Sequence, residues 1–115
     1  MSTQVTPMNK EDIEKNLQML FIAASRFLKS ESSNYLQGFV FRCLNILRGR
    51  DKEAFNWEVI RLINSRKGED INEDEKDNLI YSMRHAYITL DDETYFKHAY
   101  TFLLGLLKTK TSNNE

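Results

Sequence analysis

Residues that interrupt helices are scarce in this sequence. Its 115 residues include a single proline, Pro7, and four glycines, so the dipeptides that mark tight turns are nearly absent. No stretch approaches the roughly 20 consecutive apolar residues of a transmembrane helix. The first seven residues also lack the apolar run of a secretory signal peptide. These absences favour helices over a β-sheet and argue against a membrane span or a secretion signal.

Cysteine occurs once. Cys43 has no partner for an intrachain disulfide, and it lies in an apolar run. A lone cysteine of this kind is typical of a reducing compartment and of a small core residue. We therefore expect a cytoplasmic protein in which Cys43 is structural, since no local motif activates its thiol as a nucleophile.

The residues that are abundant predict one folded domain. The chain is 41% hydrophobic, with seven phenylalanines and five tyrosines to build a core, while 29% of its residues are charged and keep the surface soluble. Its length fits a single domain. We expect a flexible leader over residues 1–8, a helical bundle domain over 9–108 and a flexible tail over 109–115.

Apolar residues recur at steps of three and four in five segments, as in amphipathic helices. Each segment begins at a residue suited to cap a helix. The expected caps are Asn9, Ser32 or Ser33, Asp51, Asn72, and Asp91 or Asp92. Gly49 is expected to cap the end of the second helix. The apolar residues of the fifth helix include Phe96, Leu103, Leu104 and Leu107. The sequence thus predicts an all-α fold, a compact bundle of about five helices joined by short loops.

Candidate catalytic residues are few. The two histidines, His85 and His98, lie thirteen residues apart on different predicted helices, without an acidic or cysteine side chain at metal-ligand spacing. The glycines are isolated, so they form no phosphate-cradling loop, and the carboxylates cluster at predicted helix starts, where capping explains them. We expect no enzyme activity, metal or cofactor. The alternative is an enzyme that uses His85 or His98, and it requires alanine replacements there to abolish activity without unfolding the chain.

The formal net charge of −1 is unevenly distributed. Residues 26–67 hold nine Lys or Arg against four Asp or Glu, whereas residues 69–115 hold five against ten. A basic half can mark a face for nucleic acid. Against this, a pI of about 6.1 is low for a strongly nucleic-acid-binding domain, and a solvated face balanced by neighbouring helices is the alternative.

Seven basic residues form the predicted phosphate-contacting set. They are Arg42, Arg48, Arg50, Lys52, Arg61, Arg66 and Lys67. Three of them cluster at the turn between the second and third helices, and the last two close the third helix. A groove between these ends would follow a phosphate backbone without selecting a base sequence.

The order of these segments resembles a known family. The run NYLQGFVFRCLNILRGRDKEAFNWEVIRLI is followed by an acidic helix and then by DDETYFKHAYTFLLGLL. The matching positions are Leu44, Asn45, Leu47, Arg48, Asp51, Lys52, Phe55, Arg61, Leu62, Phe96, Ala99, Tyr100, Phe102 and residues 103–107. Over residues 34–107 the chain is similar to the C-terminal helical part of the large subunit of type I CRISPR effector complexes, particularly type I-B. In several such systems that part is also made separately as the small subunit of Cascade.

The resemblance implies a structural role in antiviral defence. Several copies of such a subunit would brace the crRNA-bearing backbone and offer basic residues to the target or displaced DNA strand. The implied partners are the large subunit, the backbone subunit and copies of the chain itself, with no membrane and no small-molecule substrate. Pairing with the guide RNA would supply sequence recognition, leaving shape and charge to this subunit.

A helical protein-protein adaptor or inhibitor, such as a small phage or regulatory protein, is the alternative to this role. In that reading Trp57 and Tyr95 are exposed aromatics that anchor a partner. Such a protein would bind no nucleic acid at low salt and would form a defined dimer or heterodimer.

Overall fold

Five α-helices joined by short connections form the described chain. The computed structural model describes residues 9–66 and 71–113, with side chains described as far as Lys108. The helices are α1 (Lys10–Lys29), α2 (Ser33–Arg48), α3 (Lys52–Asn64), α4 (Glu73–Thr89) and α5 (Asp92–Asn113). The described ranges contain no strand. The predicted all-α bundle of about five helices is therefore confirmed.

Each helix begins at a polar side chain that accepts a hydrogen bond from the backbone N–H three residues later. The caps are Asn9, Ser32, Asp51, Asn72 and Asp91, and their acceptor distances are 2.8, 3.1, 3.0, 2.8 and 3.1 Å in that order. Such a bond satisfies one of the N–H groups that a helix start leaves without an intrahelical partner. The predicted helix starts are confirmed at all five positions.

Contacts between the helices run in a closed circuit around a shared core. α1 packs against α4 and α5, α3 packs against α4 and α2, and α2 packs against α5. The interior is rich in aromatic rings: Phe21 stacks on Phe102 with centroids 4.5 Å apart, and Phe21 and Phe55 meet at 6.2 Å in an edge-on arrangement. This packing places α2 beside α3, and the turn that joins them carries part of the predicted basic set.

Two features of α5 differ from the sequence prediction. Leu104, expected on the inward face, is 55% exposed, while Leu106 is buried. The buried stripe includes Ala99, Leu103 and Leu106, and Leu104 lies beyond its edge because each residue turns the helix by about 100°. The helix also continues to Asn113, past the predicted end near residues 108–110, since neither proline nor glycine follows Gly105.

Candidate nucleic-acid interface

The turn between α2 and α3 has the hydrogen bonds of a Schellman helix end. The Arg50 N–H donates to the Leu47 carbonyl at 2.9 Å, and the Asp51 N–H donates to the Ile46 carbonyl at 3.2 Å. Gly49 is the C-cap, as predicted, but it has a right-handed φ of −82°. The left-handed residue is Arg50, with φ of 58°.

Arg50 thus occupies a backbone position that usually belongs to glycine. The left-handed conformation costs an L-residue about 1–2 kcal/mol, because Cβ crowds the following carbonyl oxygen. The Arg50 guanidinium lies over the Phe96 ring, with Cζ 4.5 Å from the ring centroid. An exposed cation–π contact of this kind contributes about 0.5–1 kcal/mol. It therefore offsets part of the strain and orients the charged group.

Arg48 and Arg50, which we call the turn arginines, are both exposed. Arg48 Nη1 donates to Asn45 Oδ1 at 3.4 Å, one turn back along α2. Among the carboxylates of the described ranges, none lies within 4.0 Å of either guanidinium. Both turn arginines therefore keep N–H donors, and a charge that no carboxylate of the described residues compensates, for an anionic ligand.

Lys52 has partners inside the protein. Its side chain is 17% exposed, and Nζ donates to the Leu90 carbonyl at 3.0 Å and lies 3.3 Å from Asp92 Oδ1. The rings of Tyr87 and Tyr95 flank Nζ at 5.2 and 5.1 Å. Lys52 therefore ties the start of α3 to the turn between α4 and α5. Because Nζ is bonded within the protein, the prediction that Lys52 contacts phosphate has to be revised. Its partners are too distant in sequence to be predicted from spacing.

Replacing Lys52 with methionine tests this packing role. We expect Lys52→Met to lower the free energy of unfolding by about 1–3 kcal/mol, because the Leu90 carbonyl and Asp92 lose a charged donor at a partly buried site. Urea unfolding followed by circular dichroism measures the loss. Lys15→Met, on the exposed side of α1, is the matched control and should change stability by less than about 0.5 kcal/mol. Equal stabilities of the two variants would contradict the assignment.

Arg42 of α2 and Arg61 of α3 share the carboxylate of Glu58; we call these three residues the Glu58 cluster. Arg42 Nη2 donates to Oε1 at 3.3 Å, and Arg61 Nη1 donates to Oε2 at 3.4 Å. The Glu58 side chain is 13% exposed, whereas those of Arg42 and Arg61 are 56% and 71% exposed. The cluster keeps one net positive charge. Glu58 was not among the predicted site residues, although its spacing of three residues from Arg61 is that of an ion pair along one face of a helix.

Arg66 lies at the other end of α3 and is occupied by an ion pair. Its Nη2 contacts Oε2 of Glu31, and its side chain is 11% exposed. The guanidinium also lies over the Phe27 ring, with Cζ 5.7 Å from the centroid. Arg66 therefore anchors the end of α3 to the turn between α1 and α2, and its predicted phosphate contact has to be revised. Lys67 lies outside the described residues.

Cys43 is a buried residue of α2. Burial raises the pKa of its thiol to about 12; the Glu58 carboxylate adds to the rise and Arg42 opposes it. The sulfur is therefore protonated at neutral pH and shielded from reagents, unlike the exposed thiolate of a nucleophilic cysteine. The prediction that Cys43 is a core residue is confirmed.

The raised pKa of Cys43 predicts a loss of stability in alkaline solution. Above about pH 9 the unfolded chain releases the thiol proton, while the folded chain holds it until about pH 12. Stability should therefore fall by about 1.4 kcal/mol per pH unit in that window. Burial also raises the pKa of the Tyr95 phenol, and this adds a smaller loss in the same direction. Urea unfolding at about pH 8 and pH 10 measures the fall. It should be shallower in Cys43→Ala, and an equal fall in both chains would contradict the prediction.

The two histidines belong to different helix contacts. His98 Nε2 lies 2.8 Å from Glu14 Oε1, across the contact between α5 and α1, and His98 is buried. His85, on α4, has its ring 5.4 Å from the Tyr81 ring. Among the side chains that the structure describes, no group of three His, Cys, Asp or Glu is placed to hold a metal ion.

Tyr95 was predicted as an exposed anchor, and this prediction is wrong. The residue is fully buried, and its hydroxyl donates to Asn56 Oδ1 at 2.7 Å. The rings of Phe55 and Phe96 each meet it edge-on at 6.0 Å. With Phe96 assigned to the inward face at the start of α5, its neighbour Tyr95 was left for the surface, but both are buried. Trp57, the other predicted anchor, does lie at the surface, 51% exposed.

The candidate interface therefore consists of two groups, the turn arginines between α2 and α3 and the Glu58 cluster that links these two helices. Within the described parts of the chain, no helix has both the length and the apolar character needed to cross a bilayer.

No family model matches the chain, and neither the curated proteins nor the solved structures contain a match to it.

Proposed function

We propose that this chain is a non-catalytic helical subunit that contacts the phosphate backbone of a nucleic acid through the turn arginines. The supporting observation is that Arg48 and Arg50 are exposed at one turn, with no carboxylate of the described residues within 4.0 Å. Guanidinium groups form strong, often paired, hydrogen bonds to phosphate oxygens. Displacement of counterions from the nucleic acid adds to the affinity. A contact of this kind carries no base-sequence information.

The backbone of Arg50 supports the same proposal. Glycine at this position would make the same helix end without left-handed strain, because the two hydrogen bonds of the turn use only backbone atoms. Strained residues tend to occur at functional positions, where the surrounding structure holds them. What arginine adds at this position is a guanidinium group held over the Phe96 ring, which glycine lacks.

We also propose that this subunit belongs to a type I Cascade complex. The proposal rests on the resemblance over residues 34–107. In this role the chain braces the crRNA-bearing backbone and contacts the target or displaced DNA strand in the cytoplasm. The guide RNA reads the sequence by base pairing, so the subunit needs only shape and charge. Its protein partners are the large subunit, the backbone subunit and further copies of the chain.

The exposed first turn of α4 suits contact with a basic surface of another subunit. It carries three consecutive carboxylates, those of Glu73, Asp74 and Glu75. A contact between two different surfaces of identical chains repeats head to tail, and where it does not close into a ring it produces a row of copies. Such a row would supply the several copies along the crRNA-bearing backbone that the resemblance implies.

Affinity purification of the tagged full-length chain from its native cells tests the Cascade assignment. We expect the chain to retain larger protein subunits together with short RNAs that share constant repeat-derived ends. Purified complexes that contain neither a guide RNA nor an RNA-binding backbone subunit would contradict the assignment.

An adaptor or inhibitor without nucleic-acid binding is the second candidate, and exposed aromatics favour it. Phe41 is 68% and Trp57 51% exposed. Large aromatic side chains are enriched among residues that dominate protein-protein binding energy. This candidate predicts a defined dimer or heterodimer by light scattering and no DNA binding at low salt. Measurable binding of a single-stranded oligonucleotide would decide against it.

A further inference from the structure

A cleft of ≈ 220 Å³ lies between α2 and α3 beside the Glu58 cluster. Its apolar floor includes Phe39 and Leu62, each only slightly exposed. Its lining also includes Tyr35, near the start of α2, and Ser65, just after the end of α3. Tyr35 is 42% exposed, so its ring is accessible from solvent. The cleft therefore has an aromatic end and a cationic end.

The spacing of these two ends is of the same order as the length of one nucleotide unit. Tyr35 and Arg42 are seven residues apart on one face of α2, which is about 10 Å along the helix axis. A base and the phosphate attached to its sugar are closer together than this, and the long side chains of Tyr35 and Arg42 can close the difference. One nucleotide can therefore contact the Tyr35 ring and the guanidinium groups together.

The arginines of the Glu58 cluster retain donors for a phosphate. Each guanidinium has five N–H groups, and each is bonded to Glu58 through one nitrogen, at 3.3 and 3.4 Å. These distances exceed the roughly 2.7–2.9 Å of a tight charged pair. Both side chains are more than half exposed, so a phosphate reaches them without rearrangement of the core.

We infer that this cleft holds one nucleotide of a single strand, with its base stacked on the Tyr35 ring and its phosphate held by Arg42 and Arg61. The inference rests on the proposed nucleic-acid function and extends it from backbone contact to recognition of unpaired bases. A duplex stacks its bases on one another, whereas a single strand offers their faces to an aromatic side chain. Glu58 limits the positive charge of the cleft and so keeps phosphate binding weak in the absence of a stacked base.

Fluorescence anisotropy with two labelled oligomers of about 12 nucleotides tests the inference. One is oligothymidylate, and the other is an abasic strand with the same number of phosphates. We expect the full chain to bind oligothymidylate at least about fivefold more tightly, because each stacked base contributes to affinity. Tyr35→Ala should reduce this preference to about one while leaving abasic binding unchanged, and Tyr35→Phe should keep it because the ring remains.

Two further variants complete the design. Glu58→Gln should strengthen the binding of both oligomers, because it releases two guanidinium groups from a carboxylate. Tyr81→Ala removes a tyrosine that is 61% exposed on α4 and outside the cleft, so it should alter neither affinity. Circular dichroism establishes that each variant keeps its helicity.

The results separate the inference from the proposed function. Equal wild-type affinity for the two oligomers, or an unchanged preference in Tyr35→Ala, overturns the nucleotide cleft. If charge reversal of the turn arginines still weakens binding in that case, the proposed backbone contact stands. Failure of the wild type to bind either oligomer overturns both.

Discussion

Tyr95→Ala should lower the free energy of unfolding by about 3–5 kcal/mol, the largest loss that we expect from a single substitution in this chain. The Tyr95 side chain is fully buried, and the rings of Phe55, Tyr87 and Phe96 lie 6.0, 6.4 and 6.0 Å from it. Truncation leaves a cavity that these closely packed rings fill only in part. Because domains of this size are stable by about 5–15 kcal/mol, the loss is a large share of the total.

Two companion variants separate the contributions of Tyr95. Tyr95→Phe removes only the hydroxyl and leaves the buried Asn56 Oδ1 without its donor, which should cost about 1–3 kcal/mol. Trp57→Ala removes a larger ring from the surface and should change stability by no more than about 0.5 kcal/mol. Urea unfolding monitored by circular dichroism measures all three. A cost for Trp57→Ala as large as that for Tyr95→Ala would contradict this account of the core.

Charge reversal of the turn arginines, Arg48→Glu together with Arg50→Glu, should weaken the binding of a single-stranded oligonucleotide by about 10- to 100-fold at low salt. Two attractive charges become repulsive at exposed positions, and the loss of the Arg50 contact with Phe96 costs only about 0.5–1 kcal/mol of stability. We expect helicity to remain unchanged and interference by the assembled complex to weaken. Anisotropy titrations and an in-cell interference assay measure the two effects.

A second charge reversal provides the matched control. Arg26→Glu together with Lys29→Glu makes the same change in net charge at exposed positions in the last turn of α1. If binding depends on the turn arginines, the reversal at Arg26 and Lys29 should weaken it far less than the reversal at Arg48 and Arg50. If both pairs weaken binding equally, the effect reflects overall charge, and the local site is contradicted.

The helices could be predicted from the sequence because their signals are local. Each cap is set by a side chain and an N–H three residues away, as in the bond from the Asp12 N–H to Asn9 Oδ1. Apolar periodicity then predicts most of the buried faces, and it failed at Leu104, on the margin of a stripe, and at Tyr95, which is fully buried. The fold class therefore followed from short-range chemistry.

The candidate site could be predicted only in part, because charge partners are set by tertiary packing. Arg66 pairs with Glu31, 35 residues away, and Lys52 donates to the Leu90 carbonyl, 38 residues away. No spacing rule links residues so distant in sequence. The left-handed conformation of Arg50 was likewise hidden, because glycine at the preceding position appeared sufficient to end the helix.

The salt dependence of oligonucleotide affinity tests the proposed phosphate contact most directly. For single strands the slope of log K against log salt concentration is about −0.7 per neutralised phosphate, so two turn arginines predict a wild-type slope of about −1.4 or steeper. The variant with Arg48→Ala and Arg50→Gly keeps the turn but lacks both charges, and its slope should be shallower by about 1.4. Identical slopes for the wild type and this variant would contradict the account.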